Sequence, residues 1–197
     1  MPPACRGAEG AALVKLNKIY TRTGDAGDTG LVDGSRIKKH QPRSIAIGEV
    51  DEANSAIGVA LAAVADAAHA SRLRAIQNEM FDLGADLATP GDVEGALRIT
   101  GDQVGRLERE IDAMNADLQP LTSFILPGGS AEVAAVHLAR AIVRRAERAM
   151  VALHEAEPIN RQALAYINRL SDFLFVTARH LAARQGGDVL WRPGATR

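Results

Sequence analysis

Residues able to do chemistry gather in two places along this chain. The first is Tyr20-Thr-Arg-Thr-Gly-Asp-Ala-Gly-Asp-Thr-Gly30. Gly24, Gly27 and Gly30 let a backbone turn tightly and come close to a ligand, Thr21, Thr23 and Thr29 add hydroxyl donors, and Arg22 adds fixed positive charge. A phosphate chain wants all of these. The stretch is not a Walker A loop, because no Gly-Lys-Ser/Thr follows and no strand-to-helix pairing surrounds it. Taken alone it is also compatible with a plain turn region, or with a calcium loop built on Asp25, Asp28 and Asp33, although the EF-hand ligand order is absent.

The second place is Arg140-Ala-Ile-Val-Arg-Arg-Ala-Glu-Arg148. A spacing of four puts Arg140, Arg144 and Arg148 along one helix face, where like charges repel and an anion such as a triphosphate would relieve them. A merely solvated helix surface is the alternative. Glu147 is placed to hold Arg144 by an i, i+3 contact. Further on, Asn168, Asp172 and Phe175 share a face, and an asparagine inside a helix has either a hydrogen-bonding task or an exposed position. Asp51 and Glu52 read as acidic residues near a helix start, suited to its dipole.

Other chemistries lack their residues. The five histidines form no His-Glu-x-x-His and no Glu-x-x-His pair, so a di-iron bundle site is disfavoured. The single cysteine, Cys5, sits in an N-terminal stretch rich in Ala, Gly and Pro, leaving no disulfide framework, no cysteine metal site and no protein nucleophile. A formal charge of −1 provides no global field for nucleic acid or an anionic membrane. No signal-peptide core and no spanning run of about 20 apolar residues is present, so the expectation is a soluble, cytoplasmic protein.

The elements that must position these groups follow from periodicity. At 197 residues one domain is expected, over 13–191, with tails at 1–12 and 192–197. Up to about residue 39 there is no helical pattern, and the stretch is read as a long loop whose part from Lys18 to Gly34 is ordered. A first helix is expected over 44–67. Leu73, Ile76, Met80, Leu83 and Leu87 alternate spacings of three and four on a second, which Thr89-Pro90-Gly91 ends. Val104, Leu107, Ile111, Met114 and Leu118 repeat that on a third, opened by a Thr100/Gln103 capping box and broken by Pro120. Ser130 caps a fourth helix reaching about Glu157, and Pro158 separates it from a fifth that ends at Gly186-Gly187. Abundant alanine and few aromatics favour close helix packing over a β-sandwich. The fold class is therefore all-α, a five-helix up-and-down antiparallel bundle with an N-terminal ordered phosphate-binding loop.

Read together, the motifs resemble the PduO-type ATP:cob(I)alamin adenosyltransferases. The matching pieces are Lys18 to Leu31, Gly48-Glu-Val-Asp-Glu-Ala-Asn54, Phe81-Asp-Leu-Gly-Ala-Asp-Leu-Ala-Thr-Pro90, Phe124-Ile-Leu-Pro-Gly-Gly129, Arg140 to Arg148 and Ile167-Asn-Arg-Leu-Ser-Asp-Phe173, in the family's order over about 15–191. The resemblance implies ATP and cob(I)alamin as substrates, with Mg²⁺ on the phosphates, and a homotrimer with active sites between subunits. It implies that Thr21, Arg22, Thr23, Gly24, Thr29, Gly30 and Lys39 surround the phosphates, and that Arg144, Arg145, Ala146, Glu147, Arg148 and Asn168 complete the ATP site. Phe124 and Phe175 would contact the corrinoid, Phe124 keeping its lower face free of a ligand, while Asp51 would pair with Arg140 across the interface. Arg144, Phe124, Asp51 and Arg140 are thus the implied catalytic set. A cob(II)alamin reductase and an adenosylcobalamin-dependent acceptor enzyme are the implied partners. A non-catalytic carrier of ATP and adenosylcobalamin is the rival reading, and a purely structural bundle a third.

Overall fold

The computed structural model describes residues 19–197; the tail expected over 1–12, with Cys5 and Lys18, lies outside the described residues. Five helices follow a small hairpin: α1 Pro42–Ala63, α2 Ala67–Leu87, α3 Gly101–Asn115, α4 Ala131–Ala156 and α5 Arg161–Ala183. The alternation of three and four is what they bury. On α1 it is Ala46, Val50, Ala53, Ile57 and Ala60, on α4 Val136, Ala139, Val143, Ala146, Met150 and Leu153, all at most 1% exposed. Such stripes let ridges of one helix enter grooves of the next at small crossing angles, and the alanines bring the α1 and α4 backbones close. Helix α1 packs on α2 and α4, and α5 packs on α4 and α3.

Helix ends obey local chemistry. Ser130 accepts a hydrogen bond from the N–H of Val133 at the start of α4, and Asp66 accepts one from His69 at the start of α2. The Thr100/Gln103 capping box forms at α3, with Gln103 accepting the Thr100 N–H at 2.9 Å. Both boundaries of α1 differ from expectation. Helix α1 begins at Pro42, two residues early, because proline at the first helical position needs no N–H partner. It ends at Ala63, where the three residues up to Asp66 turn the chain into α2.

The N-terminal stretch is more than a loop. Strand β1, Asp28–Gly30, pairs antiparallel with β2, Arg36–Lys38, with Thr29 opposite Ile37. The hairpin is tied to the bundle by the Val32 N–H, which donates to the Ala88 carbonyl at the end of α2 at 3.0 Å.

Candidate active site

The hairpin collects cations around glycine. Gly27 and Gly34 have φ of +84° and +82°, the left-handed region that the turns on either side of β1 require. Arg22 also has φ of +60°, an uncommon conformation for a side-chain-bearing residue, and its guanidinium lies 5.6 Å from the Tyr20 ring centroid. Thr21 and Thr23 hydroxyls are 2.8 Å apart, and Arg36 Nη2 donates to the Thr23 carbonyl at 2.6 Å. Lys39 donates its backbone N–H to Gly27 O at 2.9 Å, and its ammonium lies across Gly24. A Cβ at Gly24 would stand 3.2 Å from Lys39 Nζ and 3.2 Å from Asp28 O, so glycine makes room for that cation. Asp28 is paired with Lys38 at 2.8 Å, which holds its carboxyl below the usual range, and Asp33 accepts from Ser35. Two of the three acids a calcium loop would need, Asp28 and Asp33, are thus engaged. Arg22, Arg36 and Lys39 form no ion pair among the described residues, although the Arg36 charge reaches Asp28.

The arginines of α4 divide into two kinds. Arg144 and Arg148 are exposed, joined only by an Arg148 Nη1 bond to the Arg144 carbonyl at 3.0 Å, and neither meets a carboxylate. Arg145 instead points at α1, where Glu49 takes its Nε–H at 2.7 Å and Glu52 a second N–H, raising its pKa. The expected Glu147–Arg144 contact does not form. Glu147 Oε1 accepts from Asn168 Nδ2 of the neighbouring α5 at 2.7 Å, which leaves the Arg144 guanidinium free. Asp172 turns to Arg169 at 3.2 Å. Ala146 is fully buried against the core, so it supports the site by packing and does not line it.

The dipole reading of Asp51 and Glu52 is overturned, because α1 starts at Pro42 and places both well past its first turn. Glu52 serves Arg145, while Asp51 stays exposed beside Asn54 and Phe81 in a groove between α1 and α2. Within one chain Asp51 and Arg140 form no ion pair.

At the other end of α4 the site turns apolar. Phe124 is 78% exposed, on the connection between α3 and α4. A C-terminal segment steadies its backbone: Trp191 N–H donates to Phe124 O and Leu126 N–H to Val189 O, both at 2.8 Å. Ser123 Oγ donates to Trp191 O at 2.9 Å, and the Phe124 and Trp191 rings lie 6.1 Å apart. Phe175 of α5 lies under Arg140, whose guanidinium is 5.9 Å from the ring centroid, and next to His137 at 6.4 Å. His137 and the pairing of Arg145 with Glu49 and Glu52 escape a reading of the sequence. The i, i+3 spacing of the two glutamates is the only signal for the latter, and His137 has none beyond lying one turn before Arg140.

The chain is similar to known proteins in sequence and fold. The family described as cobalamin adenosyltransferase matches residues 19–181. A corrinoid adenosyltransferase of Mycobacterium tuberculosis is 50% identical over 190 residues, covering 93% of this chain and 97% of that protein. One of Bacillus subtilis is 45% identical over 183 residues, covering 90% and 94%. Among solved structures, a variant PduO-type ATP:corrinoid adenosyltransferase from Lactobacillus reuteri, complexed with cobalamin and ATP, aligns with a TM-score of 0.83 at 39% identity, covering 89% of this chain and 99% of that one.

Proposed function

The chain belongs to the cobalamin adenosyltransferase family, and on that footing we propose that it transfers the 5′-deoxyadenosyl group of ATP to cob(I)alamin, releasing triphosphate. Cob(I)alamin is itself the nucleophile. Its cobalt supplies the electron pair for the new bond to C5′, the C5′–O bond breaks, and the triphosphate leaves with the electron pair of that broken bond. No protein base or nucleophile takes part, so the chain has two tasks: holding the reactants in line and neutralising charge on the leaving group.

The observation that carries this reading is Arg144, an exposed guanidinium in a row of arginines with no carboxylate to satisfy it. The hairpin's Thr21, Thr23, Thr29, Gly24 and Lys39 complete the phosphate set. From Thr21 to Lys39 no hydrogen bond or ion pair reaches the arginine row within the chain, so nothing inside one subunit ties the two halves of the proposed phosphate site together. A homotrimer that sets the hairpin of one subunit against α4 of the next would join them, and would give Asp51 its Arg140. Among the described residues no three acidic or histidine side chains cluster for a metal, so Mg²⁺ would ride on the phosphates. Phe124 and Phe175 offer the apolar surface for the corrin. No described helix is long and apolar enough to cross a membrane, and we place the reaction in the cytoplasm, beside a cob(II)alamin reductase and an acceptor enzyme.

The test is an anaerobic assay with purified chain, ATP, Mg²⁺ and chemically reduced cobalamin. Adenosylcobalamin with equimolar triphosphate is the expected result. Binding of both ligands without triphosphate would replace the transferase with a carrier.

A further inference from the structure

His137 sits in the second turn of α4, 3% exposed, and neither Nδ1 nor Nε2 has a hydrogen-bond partner. Arg140, one turn later, has a buried Nε in the same condition, and its guanidinium lies 5.9 Å from the Phe175 ring centroid. The His137 ring faces that same phenyl at 6.4 Å with planes inclined by 58°. Three groups from two helices therefore share one small space, two of them polar and without a hydrogen-bond partner inside one subunit. Burial, and then the Arg140 charge, hold the imidazole pKa below its ordinary value, against the pull of Asp188, which is itself paired with Arg179 at 3.0 Å. Both effects favour the uncharged ring.

Packing alone does not account for it. A buried polar atom without a partner destabilises a fold, and a phenyl of similar volume would fill the space without that penalty. Such unsatisfied groups concentrate where a protein uses them. We propose that His137 is a positioning residue for the corrinoid half of the site, its imidazole setting the Arg140 guanidinium and the Phe175 ring against which the corrinoid settles. This rests on the reading above that Phe175 faces the corrinoid. His137 does not touch the substrate; it acts through its two neighbours, by the contact of its ring with Phe175 and by the interaction of its ring dipole with the Arg140 charge.

Three variants test it. His137→Phe keeps the ring and removes both nitrogens, His137→Met fills the space with a flexible chain, and His137→Gln restores one donor and one acceptor. His137→Phe is expected to unfold no more readily than wild type. It should raise the KM for cob(I)alamin about tenfold while the KM for ATP stays within about twofold. The fraction of bound cob(II)alamin showing the four-coordinate spectrum should fall, and His137→Gln should recover part of both losses. His137→Phe with the wild-type corrinoid KM and spectrum would overturn the proposal. So would an equal rise in both KM values, or unfolding of both apolar variants, since those are marks of a packing residue. Failure of the transferase reading is visible separately, as absence of turnover in the wild-type chain; the spectral titration with cob(II)alamin then decides the role of His137 without needing turnover.

Discussion

Arg144 and Arg145 are adjacent in sequence and opposite in circumstance. Arg145 is held by two carboxylates of α1, whereas the Arg144 guanidinium meets none. A free cation in a charge-developing site acts on the leaving group, so Arg144→Ala is expected to lower kcat/KM for ATP by roughly 10²-fold. Its exposed side chain carries no packing, and the thermal midpoint should stay within about 2 °C of wild type. Steady-state kinetics and a melting curve on one preparation check both halves; near wild-type kcat and KM would remove Arg144 from the site. The row itself is legible from spacing, since residues four apart share a helix face. The division of labour within it is not. It depends on Glu49, 96 residues away, and on Asn168 outbidding Arg144 for Glu147, both products of how α1 and α5 flank α4.

Between elements, one polar knot ties α2 to α3 and α5, which it otherwise meets little. Tyr166 of α5 is fully buried and donates its hydroxyl to Glu79 of α2 at 2.7 Å, and Arg106 of α3 bridges Glu79 and Glu110. Burial first, and then the Glu79 charge, raise the Tyr166 pKa well above its usual value, so it remains a donor throughout the working range. Tyr166→Phe leaves Glu79 with Arg106 but removes a hydrogen bond to a charged acceptor, and should lower stability by about 1.5–3 kcal/mol in urea unfolding. An unchanged midpoint would mean that the arginine alone satisfies the carboxylate. At this scale most of the bundle is readable, because every helix writes its buried face at intervals of three and four. Helix α3 shows where reading stops: it ends at Asn115, although Leu118 keeps the spacing, since the chain leaves the helix through turns before Pro120 and Leu118 packs from there. The hairpin is hidden for another reason. Three-residue strands are too short to display alternation, and glycine and aspartate within them signal only turns.

For the whole molecule, acid is the expected weakness, and its site is the end of the bundle where α2 begins and α5 finishes. His69 is buried, its Nε2 is 3.0 Å from His180 Nδ1, and burial pushes its pKa down to about 4. Below pH 6.5 the unfolded chain takes up a proton there that the native chain refuses until about 4. Stability therefore falls as pH drops through that window, by up to roughly 3 kcal/mol. Asp66, held down to about 2 by the His69 N–H and then by Arg184, adds a second loss between 3.8 and 2. Urea midpoints recorded from pH 7 to 3 should show the first limb, and His69→Gln should flatten it while leaving the second. A flat wild-type profile between 6.5 and 4 would sink this account. The C-terminal segment that pairs with the α3–α4 connection has an optical consequence. The chain carries a single tryptophan, and its ring stands 6.1 Å from Phe124. Emission excited at the red edge of the indole band, where Tyr20 and Tyr166 do not absorb, is thus a local signal from the place that, on the proposed reading, a corrinoid would reach and a phosphate would not. A strongly coloured macrocycle arriving there would extinguish it by energy transfer, so the order in which the two substrates load can be watched in a stopped-flow fluorimeter without a label.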